Sequence, residues 1–546
     1  MAKTSTQINL KLYDLTAQTD AEYTAADKQT FVDIADLNND FDAPVNYATL
    51  EPDQWRLDGT MDLFPDDMTT LQYGLWSLSR SNGSNVISVE LDIDFDSVHS
   101  SIGLSFEFYP QEYATEVYVE WYDALDALIT SGTYTNDKTD MFVDESVVDY
   151  KRIYVEFKKL NKSGYYLKLK KVGYGANILF DDSSIKTCTV LEELNPTSDE
   201  ISINRMSTTI LLKDSDYILK IYQVLEEQQQ LVVTETVNEI DKDMGTFYLK
   251  SKSNPNENTI NFETQDLLGL MSNSTYYGGM VNDTVENIID DIMADFGTTL
   301  YTISTDIKDL VVVGHIPVSD HRRAIQLVAF AVNAVVDCSR SNKINLYSLP
   351  TTLPGELTND RYFIGGSQEE EERVTDVQLD LSSYTADVTT KEAYKVTHTS
   401  GTYVALFNEP FSGLSISGGT IISSNANYAE FSTTGATVTI TGYPYIKSTQ
   451  TYVVSTPSLP VTTVRRRLKF ANTLIWDGAQ NVQSIYDKSI DLINRKVKIL
   501  LENEKAGDFI EVDALYNQTI NGYIEKLNID LTGGFLGEAE IVGTLN

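Results

Sequence analysis

The residue types that perform most catalytic and metal-binding chemistry are scarce in this sequence. Its 546 residues include only two cysteines and four histidines. Cys188 and Cys338 lie far apart, in a spacing typical of neither a disulfide framework nor a zinc site. The histidines are not part of an HExxH motif and have no plausible cysteine ligand beside them; they are His99, His315, His321 and His398. We therefore expect no metal and no cofactor, and we interpret both cysteines as small buried hydrophobic residues.

Signatures of nucleotide binding and of hydrolysis are also missing. The P-loop pattern GxxxxGK[ST] does not occur, and the glycines of GYGAN (173–177) lack dinucleotide-binding spacing. The segment GLWSLSRSNGS (74–84) is not a GxSxG elbow. Carboxylates are so abundant that some pair must lie at glycosidase spacing by chance, so the sequence selects none. We predict no catalytic residue and no enzymatic activity; a carboxylate-pair hydrolase is the alternative.

Aromatic residues are the best candidates for a binding role. Trp76, Tyr109 and Trp121 lie in or beside a run of predicted strands between residues 85 and 190. Sugar-binding sandwiches use flat aromatic faces as stacking platforms, together with a few polar groups that orient hydroxyls. These three residues are the candidate glycan-binding site. Packing inside a core is the alternative use of such rings.

Charge limits the partners that this chain can have. It carries 80 acidic and 41 basic residues, a net charge of −39, which argues against binding to nucleic acid or to anionic lipid. Strand alternation places Lys168 and Lys170 on one exposed face. They belong to a cluster that is either solvated or in contact with an acidic neighbour: Lys158, Lys159, Lys162, Lys168, Lys170 and Lys171. The four glutamates at 369–372 predict a solvated loop.

Two features bear on membranes. The N-terminus lacks the apolar stretch of a signal peptide. The longest nearly apolar run, 324–336, is too short to cross a bilayer. We expect no membrane insertion.

Strand patterns dominate the first third of the chain. VISVELDIDF (86–95), IGLSFEF (102–108) and TEVYVEWYD (115–123) alternate apolar and polar residues with a period of two. The segment 154–172 predicts two strands joined as a hairpin around Asn161–Gly164. Repeated short strands at this spacing indicate an antiparallel β-sandwich over 85–193, preceded by an acidic arm of loops and short strands over 1–84.

The pattern changes after Pro196. Strands follow over 194–270, and a small α+β unit is predicted over 271–350. Its first helix, 283–297, begins with Asp283 as N-cap and Glu286 at the third helical position, and ends at Gly297. Its second helix covers 320–336 and is capped by Ser319. β patterning returns over 351–546, interrupted by a helix at 478–495. The predicted fold class is mainly β with an α+β insert.

Several of these strings resemble those of tailed-phage baseplate hub or tail-tip proteins. The segment 194–216 (LNPTSDEISINRMSTTILLKDSD) resembles the start of their first barrel, and 315–350 (HIPVSDHRRAIQLVAFAVNAVVDCSRSNKINLYSLP) resembles their α+β insert. Residues 471–496 resemble their late helix, and 507–543 their closing strands. The region beginning YATLEPDQWRLDG (47–59) resembles the sandwich that precedes the hub in prophage-type tail proteins of Gram-positive hosts.

The resemblance implies a structural protein of the virion tail. It implies an N-terminal sandwich (85–193), two tail-tube-like hub barrels (194–270 and 351–546) and the α+β unit (271–350). The family forms a threefold ring that joins the tail tube to a central spike or tip, so the implied partners are two further copies, the tube protein, the spike or tip protein and peripheral baseplate proteins. Assembly would take place in the cytoplasm of the bacterial host. Many relatives carry a peptidoglycan-cleaving C-terminal domain, which we do not expect here because the chain ends after the closing strand. The alternative is a baseplate protein for host attachment that binds cell-wall glycan through the sandwich.

Overall fold

The computed structural model describes residues 4–38, 47–48, 51–52, 62–63, 73–109, 112–211, 228–350, 357, 361–363, 365–456, 464–515 and 518–545. The described chain forms two compact units. The N-terminal unit contains residues 9–179 and 228–229, and the larger unit contains 4–8, 180–211 and 230–545. The fold is mainly β, with 59% strand and 11% helix, which confirms the predicted class.

Two antiparallel sheets build the N-terminal unit. Its strands, of which the first and last extend into the larger unit, are β1 (Thr4–Tyr13), β2 (Ala21–Thr24), β3 (Tyr47–Ala48), β4 (Asp62–Leu63), β5 (Leu75–Arg80), β6 (Val86–Ser101), β7 (Leu104–Phe108), β8 (Ala114–Tyr122), β9 (Leu128–Thr135), β10 (Asp140–Val143), β11 (Val147–Leu160), β12 (Tyr166–Gly173) and β13 (Gly175–Phe180). One sheet has the order β2-β6-β11-β8-β9 and the other β10-β7-β12-β5, while β3 and β4 form a separate parallel pair. Helix α1 (Leu15–Asp20) and a 3-10 turn (Ile34–Asn38) complete the unit.

The core of this unit follows from strand alternation. In β8 the buried residues Val117, Val119 and Trp121 alternate with partly exposed ones. Phe106 of one sheet meets Phe157 of the other edge to face, with ring centroids 5.5 Å apart. The strands predicted at 86–95, 102–108 and 115–123 are confirmed, because period-two burial is a local property that the sequence displays directly.

The structure differs from the prediction in three places in the first 193 residues. The two strands around Asn161–Gly164 do not form a hairpin: β11 pairs with β6 and β8, whereas β12 pairs with β5 and β7 in the other sheet. Within the predicted arm 1–84, the described strands β2 and β5 pair inside the two sheets and Leu75 is fully buried. Finally, residues 180–193 group with the larger unit.

The larger unit begins with the remaining strands of the chain. They are β14 (Ile185–Glu193), β15 (Arg205–Leu211), β16 (Gln230–Val237), β17 (Ile240–Asn256), β18 (Thr259–Gln265), β19 (Thr275–Tyr276), β20 (Gly279–Thr284), β21 (Tyr301–Ile303), β22 (Val311–Ile316), β23 (Ser319–Asp320), β24 (Ala334–Asp337), β25 (Ile344–Ser348), β26 (Ser367–Glu370), β27 (Asp376–Ala386), β28 (Lys391–Thr397), β29 (Ser400–Leu406), β30 (Phe411–Ser417), β31 (Thr420–Ser424), β32 (Tyr428–Thr434), β33 (Thr437–Ser455), β34 (Arg467–Asn472), β35 (Leu474–Ile475), β36 (Ile493–Leu500), β37 (Phe509–Asp513), β38 (Thr519–Asp530) and β39 (Leu536–Leu545). Its helices are α2 (Leu267–Met271), α3 (Val285–Phe296), α4 (His321–Ala331) and α5 (Gly478–Asp487).

One long sheet links distant parts of this unit. Its order is β16-β17-β18-β15-β14-β38-β39-β36-β26, with β37 beside β38. Strands β27, β28, β30, β33 and β34 form a second sheet, and β29, β31 and β32 a third. The predicted barrel at 351–546 therefore divides its strands among separate sheets. The glutamates at 369–372 are not simply a loop, since Glu369 and Glu370 pair with β36.

The helices exist where predicted, but their ends differ. Thr284, not Asp283, caps α3 and accepts from the amide of Asn287, while Gly297 ends the helix with φ 84° as expected. Helix α4 is capped by Asp320 instead of Ser319 and ends at Ala331, since 334–337 forms β24. Helix α5 ends at Asp487, not 495. An evenly apolar run cannot by itself distinguish a buried helix from a buried strand.

Candidate functional site

The three predicted glycan-binding residues lie in the core of the N-terminal unit. Trp76, Tyr109 and Trp121 are 3%, 4% and 0% exposed. The rings of Trp76 and Tyr109 meet edge to face at 5.2 Å, and Trp121 packs between the two sheets. These rings have no open face on which a sugar could stack. The structure therefore assigns them to packing, the alternative that their sequence position left open.

Lys168 is buried and does not share an exposed face with Lys170, contrary to the prediction. Its ammonium lies 2.6 Å from Glu51 Oε2 and 3.0 Å from Glu112 Oε2, and 4.4 Å from the ring centre of Trp76. All three charged side chains are at most 7% exposed. Burial raises the pKa of Glu112, against the opposing effect of the Lys168 charge. Lys168, Glu51 and Glu112 therefore form a buried ion cluster beside β12.

Other members of the lysine cluster are paired within the same unit. Lys170 lies 3.0 Å from Glu107, Lys159 lies 2.5 Å from Glu116, and Lys158 lies 3.5 Å from its neighbour Glu156. These pairs are partly exposed, so each contributes little stability. The cluster is therefore largely neutralised locally and does not form a basic patch for an acidic partner.

His99 lies in the wall of a cavity of about 670 Å³ in the N-terminal unit. Its Nδ1 is 3.1 Å from Asp14 Oδ2 and its Nε2 is 2.7 Å from Asp20 Oδ2. The pKa of Asp20 is lowered by this histidine and by the amide of Ser97. Burial alone would raise the pKa of Asp14, but bonds from Thr16, Ala17 and His99 lower it overall. The two contacts tie α1 and its N-cap residue to β6.

The contacts of His321 and the burial of both cysteines are structural as well. His321 Nδ1 is 2.8 Å from Ser274 Oγ, and its Nε2 is 2.9 Å from Asp295. This resembles a nucleophile–base arrangement, but Ser274 Oγ also donates to the carbonyl of Met271, so the contacts join the ends of α2, α3 and α4. Cys188 and Cys338 are free and buried.

Metal binding and membrane crossing gain no support from the structure. In the part of the chain that the structure describes, no group of three or more His, Cys, Asp or Glu side chains could hold a metal ion. Among the same residues, no helix has the length and apolarity needed to span a bilayer.

The outward face of the five-stranded sheet carries a tyrosine–charge array that the sequence analysis did not single out. On β8, Tyr118, Glu120 and Tyr122 point away from the core and are partly exposed. The Tyr118 hydroxyl donates to Glu120 Oε1 at 2.6 Å, and the Tyr122 hydroxyl donates to Oε2. These bonds lower the pKa of Glu120. The alternation of 115–123 in the sequence already places these three residues on the side of the strand opposite to Trp121.

The long sheet of the larger unit contains the same strand arrangement twice. In β15–β18, the first strand pairs with the fourth, the fourth with the third, and the third with the second. In β36–β39 the same three antiparallel pairings recur in the same order. We call these sets module A (β15–β18) and module B (β36–β39). No solenoid-length repeat is visible in the sequence, so the repetition is one of topology.

Strand β14 joins the two modules. One edge pairs with β15 of module A and the other with β38 of module B. On this strand Glu192 is 1% exposed; it accepts from Arg340 Nε at 2.8 Å and from the amide of Ala506 at 3.2 Å. Burial raises the pKa of Glu192, although Arg340 opposes that shift. Glu192 thereby ties β14 to Arg340, which follows β24, and to the backbone of Ala506, which lies between β36 and β37.

Comparison with known proteins identifies distant structural neighbours only. No protein-family profile and no curated protein sequence matches the chain. The tail protein from Neisseria meningitidis MC58 is similar over 67% of this chain and 93% of its own, at 10% identity and TM-score 0.41. Prophage tail protein gp18 from Listeria monocytogenes EGD-e is similar over 78% and 94%, at 9% identity and TM-score 0.38. The E. coli c3393 protein, a type VI secretion component similar to T4 tail proteins gp27 and gp5, covers 66% and 74%, at 8% identity and TM-score 0.32. Likenesses this distant assign neither a family nor an activity.

Proposed function

We propose that this chain is a structural component of the baseplate hub or tail tip of a phage tail or phage-tail-like particle. The single observation that carries the proposal is the duplication of one four-stranded arrangement in modules A and B within a continuous sheet. Two copies of one strand arrangement, held in a fixed register, can present the same kind of contact surface twice to neighbouring subunits. The sequence resemblance to hub proteins includes 194–216, which contains β15 of module A, and 507–543, which contains most of β37–β39 of module B.

Symmetry explains what such a duplication achieves. Closed rings are built from a surface on one subunit that fits a different surface on the next. Three copies of this chain would place six modules of like topology around one axis. That ring offers a near-sixfold face to a tube above it and a threefold face to a spike or tip below. The proposed partners are thus two further copies, a tube protein, a spike or tip protein and peripheral baseplate proteins, in a virion tail assembled in the bacterial cytoplasm.

The role proposed here is geometric, and we assign no catalytic step to the chain. The pairing of β14 with β15 on one edge and with β38 on the other holds the modules in one sheet, which suits a subunit loaded on both faces of a ring. The strong negative charge suits the wall of a conduit, because it limits adhesion of an acidic passenger such as DNA.

Light scattering of the purified chain, followed by cryo-electron microscopy of the intact particle, tests the proposal. We expect a species of about three times the 61.1 kDa chain mass and a threefold ring at the end of the tube. A strict monomer in the presence of the tube and spike proteins contradicts it. So does a location away from the tail axis.

A further inference from the structure

Strand β26 occupies the same place beside module B that β14 occupies beside module A. Each of these strands pairs antiparallel with the first strand of its module, β14 with β15 and β26 with β36. Strand β14 also pairs through its second edge, with β38. In the part of the chain that the structure describes, no strand pairs with the second edge of β26. The duplication therefore leaves one junction strand with half of its pairing unmade.

The strand that β14 joins in module B, β38, has β17 as its counterpart in module A. Strand β37 covers β38 only as far as Tyr523, and β16 covers β17 only as far as Tyr248. Two residues beyond each tyrosine, the pairing with the next strand is interrupted by one extra residue, Glu525 in β38 and Lys250 in β17. The shared position of the tyrosine and the bulge aligns the two strands residue for residue.

The part of β17 that follows this bulge has an open edge. In β38 the corresponding part, 526–530, pairs with β14. In β17, residues 251–255 lie beside β18 on one side, and on the other side no strand within the described ranges pairs with them. A strand edge with unpaired N–H and C=O groups is a template for another strand. The chain thus has two open edges, on β26 and on β17, that correspond to the two edges joined between β14 and β38.

Rows of directly opposed residues give the register in which the open edges would meet. Each row starts at the first residue after the bulge and crosses its module to the junction strand. The row is Ser251, Glu263, Ser207 and Thr189 in module A, and Lys526, Glu540, Lys496 and Ser367 in module B. Ser367 of β26 therefore corresponds to Thr189 of β14, and Glu370 corresponds to Glu192. Glu192 lies opposite Leu527. The counterpart of Leu527 in β17 is Lys252, so the duplication places Glu370 opposite Lys252.

The charges of the two open edges are complementary in this register. Glu370 is exposed and belongs to a run of four glutamates, whereas the facing part of β17 carries Lys250 and Lys252. The closed junction has the same polarity, because Glu193 of β14 lies 2.7 Å from Lys526 of β38. Opposite charges on directly opposed residues of neighbouring strands stabilise the pairing. Charge therefore favours β17 of this chain as the strand that β26 receives.

We propose that β26 of one copy pairs antiparallel with the 251–255 edge of β17 in a second copy, with Glu370 opposite Lys252. Within one chain these edges lie at opposite ends of eight successive strands and do not pair with each other. A contact between two different surfaces repeats from copy to copy and closes into a ring when the rotation allows it. The inference rests on the proposed hub function for its threefold closure, whereas the strand pairing itself follows from the duplication. Each copy then continues the sheet of the next, as β14 does between the modules of one chain.

Cysteine cross-linking of the full chain tests this register. Directly opposed residues of antiparallel strands have Cα atoms within the range that a disulfide spans. We expect the oxidised double variant Lys252→Cys, Glu370→Cys to run as covalent dimers and trimers on a denaturing gel, and each single variant to run as a monomer. The matched control is Ser253→Cys with Glu370→Cys, which should link far less because residue 253 faces the other side of its strand. The native cysteines, Cys188 and Cys338, are buried.

Charge reversal provides an independent measurement by sedimentation. Lys252→Glu and Glu370→Lys should each raise the concentration at which the trimer dissociates by about threefold to tenfold, because like charges then oppose each other. Combining the two substitutions should recover most of that loss, since the pair is restored with the opposite polarity. Thermal unfolding under reducing conditions establishes that each variant is folded.

The outcomes separate the strand pairing from the hub proposal. A trimeric wild type whose double-cysteine variant forms no more cross-link than the control overturns the pairing and leaves the hub proposal standing. Single charge reversals that leave the trimer unchanged also overturn the pairing. Covalent chains longer than three copies support the pairing and contradict the threefold ring. A wild type that stays monomeric beside the tube and spike proteins, together with no cross-link, overturns both.

Discussion

Replacing Lys168 by methionine should strongly destabilise the N-terminal unit. The ammonium compensates Glu51 and Glu112 at 2.6 and 3.0 Å, and the two carboxylates are 0% and 7% exposed. The methionine side chain fills the volume but leaves these carboxylates facing each other without that ammonium. Breaking a buried ion pair from one side costs about 3–5 kcal/mol. For a unit of this size we expect a fall in melting temperature of about 10 °C.

The effect should depend on pH in a defined direction. Burial raises the pKa of Glu112 and Lys168 opposes that shift, so without the ammonium the folded state holds a proton on Glu112 more tightly than the unfolded chain, whose glutamates titrate near pH 4.3. A group with a raised folded-state pKa loses stability as pH rises. The difference between Lys168→Met and wild type should therefore grow from pH 5 to pH 8. The triple variant Lys168→Met, Glu51→Gln, Glu112→Gln should regain much of the loss, because no uncompensated charge remains.

Thermal unfolding of the full chain, followed by tryptophan fluorescence, measures this effect. Trp76 lies 4.4 Å below the ammonium and reports on the local transition. Lys170→Met is the matched control, since Lys170 lies on the same strand and forms a partly exposed pair with Glu107. Such a pair contributes about 0–1 kcal/mol. If Lys168→Met has the same melting temperature as Lys170→Met at pH 8, or if its loss of stability does not depend on pH, the reasoning from the buried cluster is refuted.

Three further outcomes are expected from the same measurement. Trp121→Ala should cost about 3–5 kcal/mol, whereas Tyr122→Ala on the outward side of β8 should change stability far less; equal losses would contradict the assigned alternation. Gly314→Ala should destabilise by at least about 1 kcal/mol, since φ is +151° and an added Cβ would lie 2.1 Å from the carbonyl oxygen of Thr473; a neutral result would argue against the β22–β35 pairing. Burial, with nearby acids, raises the pKa of Glu525 to about 7, so its contribution to stability falls as pH rises from about 4 to 7. Glu525→Gln should remove that slope and be more stable than wild type at pH 8; an unchanged slope would show that the carboxyl is not the source.

Local patterns predicted much of the secondary structure correctly. Alternation located β6, β7 and β8, and helical spacing located α3 with its stop at Gly297. Each of these features depends on residues within one helical turn or one strand, and such residues are close together in the sequence. The cap of α3 was misplaced by one residue because Asp283 and Thr284 are both good N-cap residues.

Partner choice between strands was not predictable in the same way. The turn at Asn161–Gly164 indicated a hairpin, yet β11 and β12 belong to different sheets. A turn makes two strands consecutive in the sequence. The strands with which each of them pairs can nevertheless lie far away in the sequence. For the same reason the duplication of modules A and B, whose pairings repeat without a visible sequence repeat, appeared only in the strand order.

The candidate residues illustrate where this division falls. The sequence alone determined that Trp121 and Tyr122 lie on opposite sides of one strand, because successive side chains alternate. It also determined the strong negative charge and the scarcity of metal ligands. Only the tertiary structure decided which side of β8 is covered by a second sheet, that Lys168 lies beneath Glu51 and Glu112, and that Arg152 lies over Tyr122. Burial and charge pairing arise from residues distant in sequence, so they are properties of the folded chain and not of any local pattern.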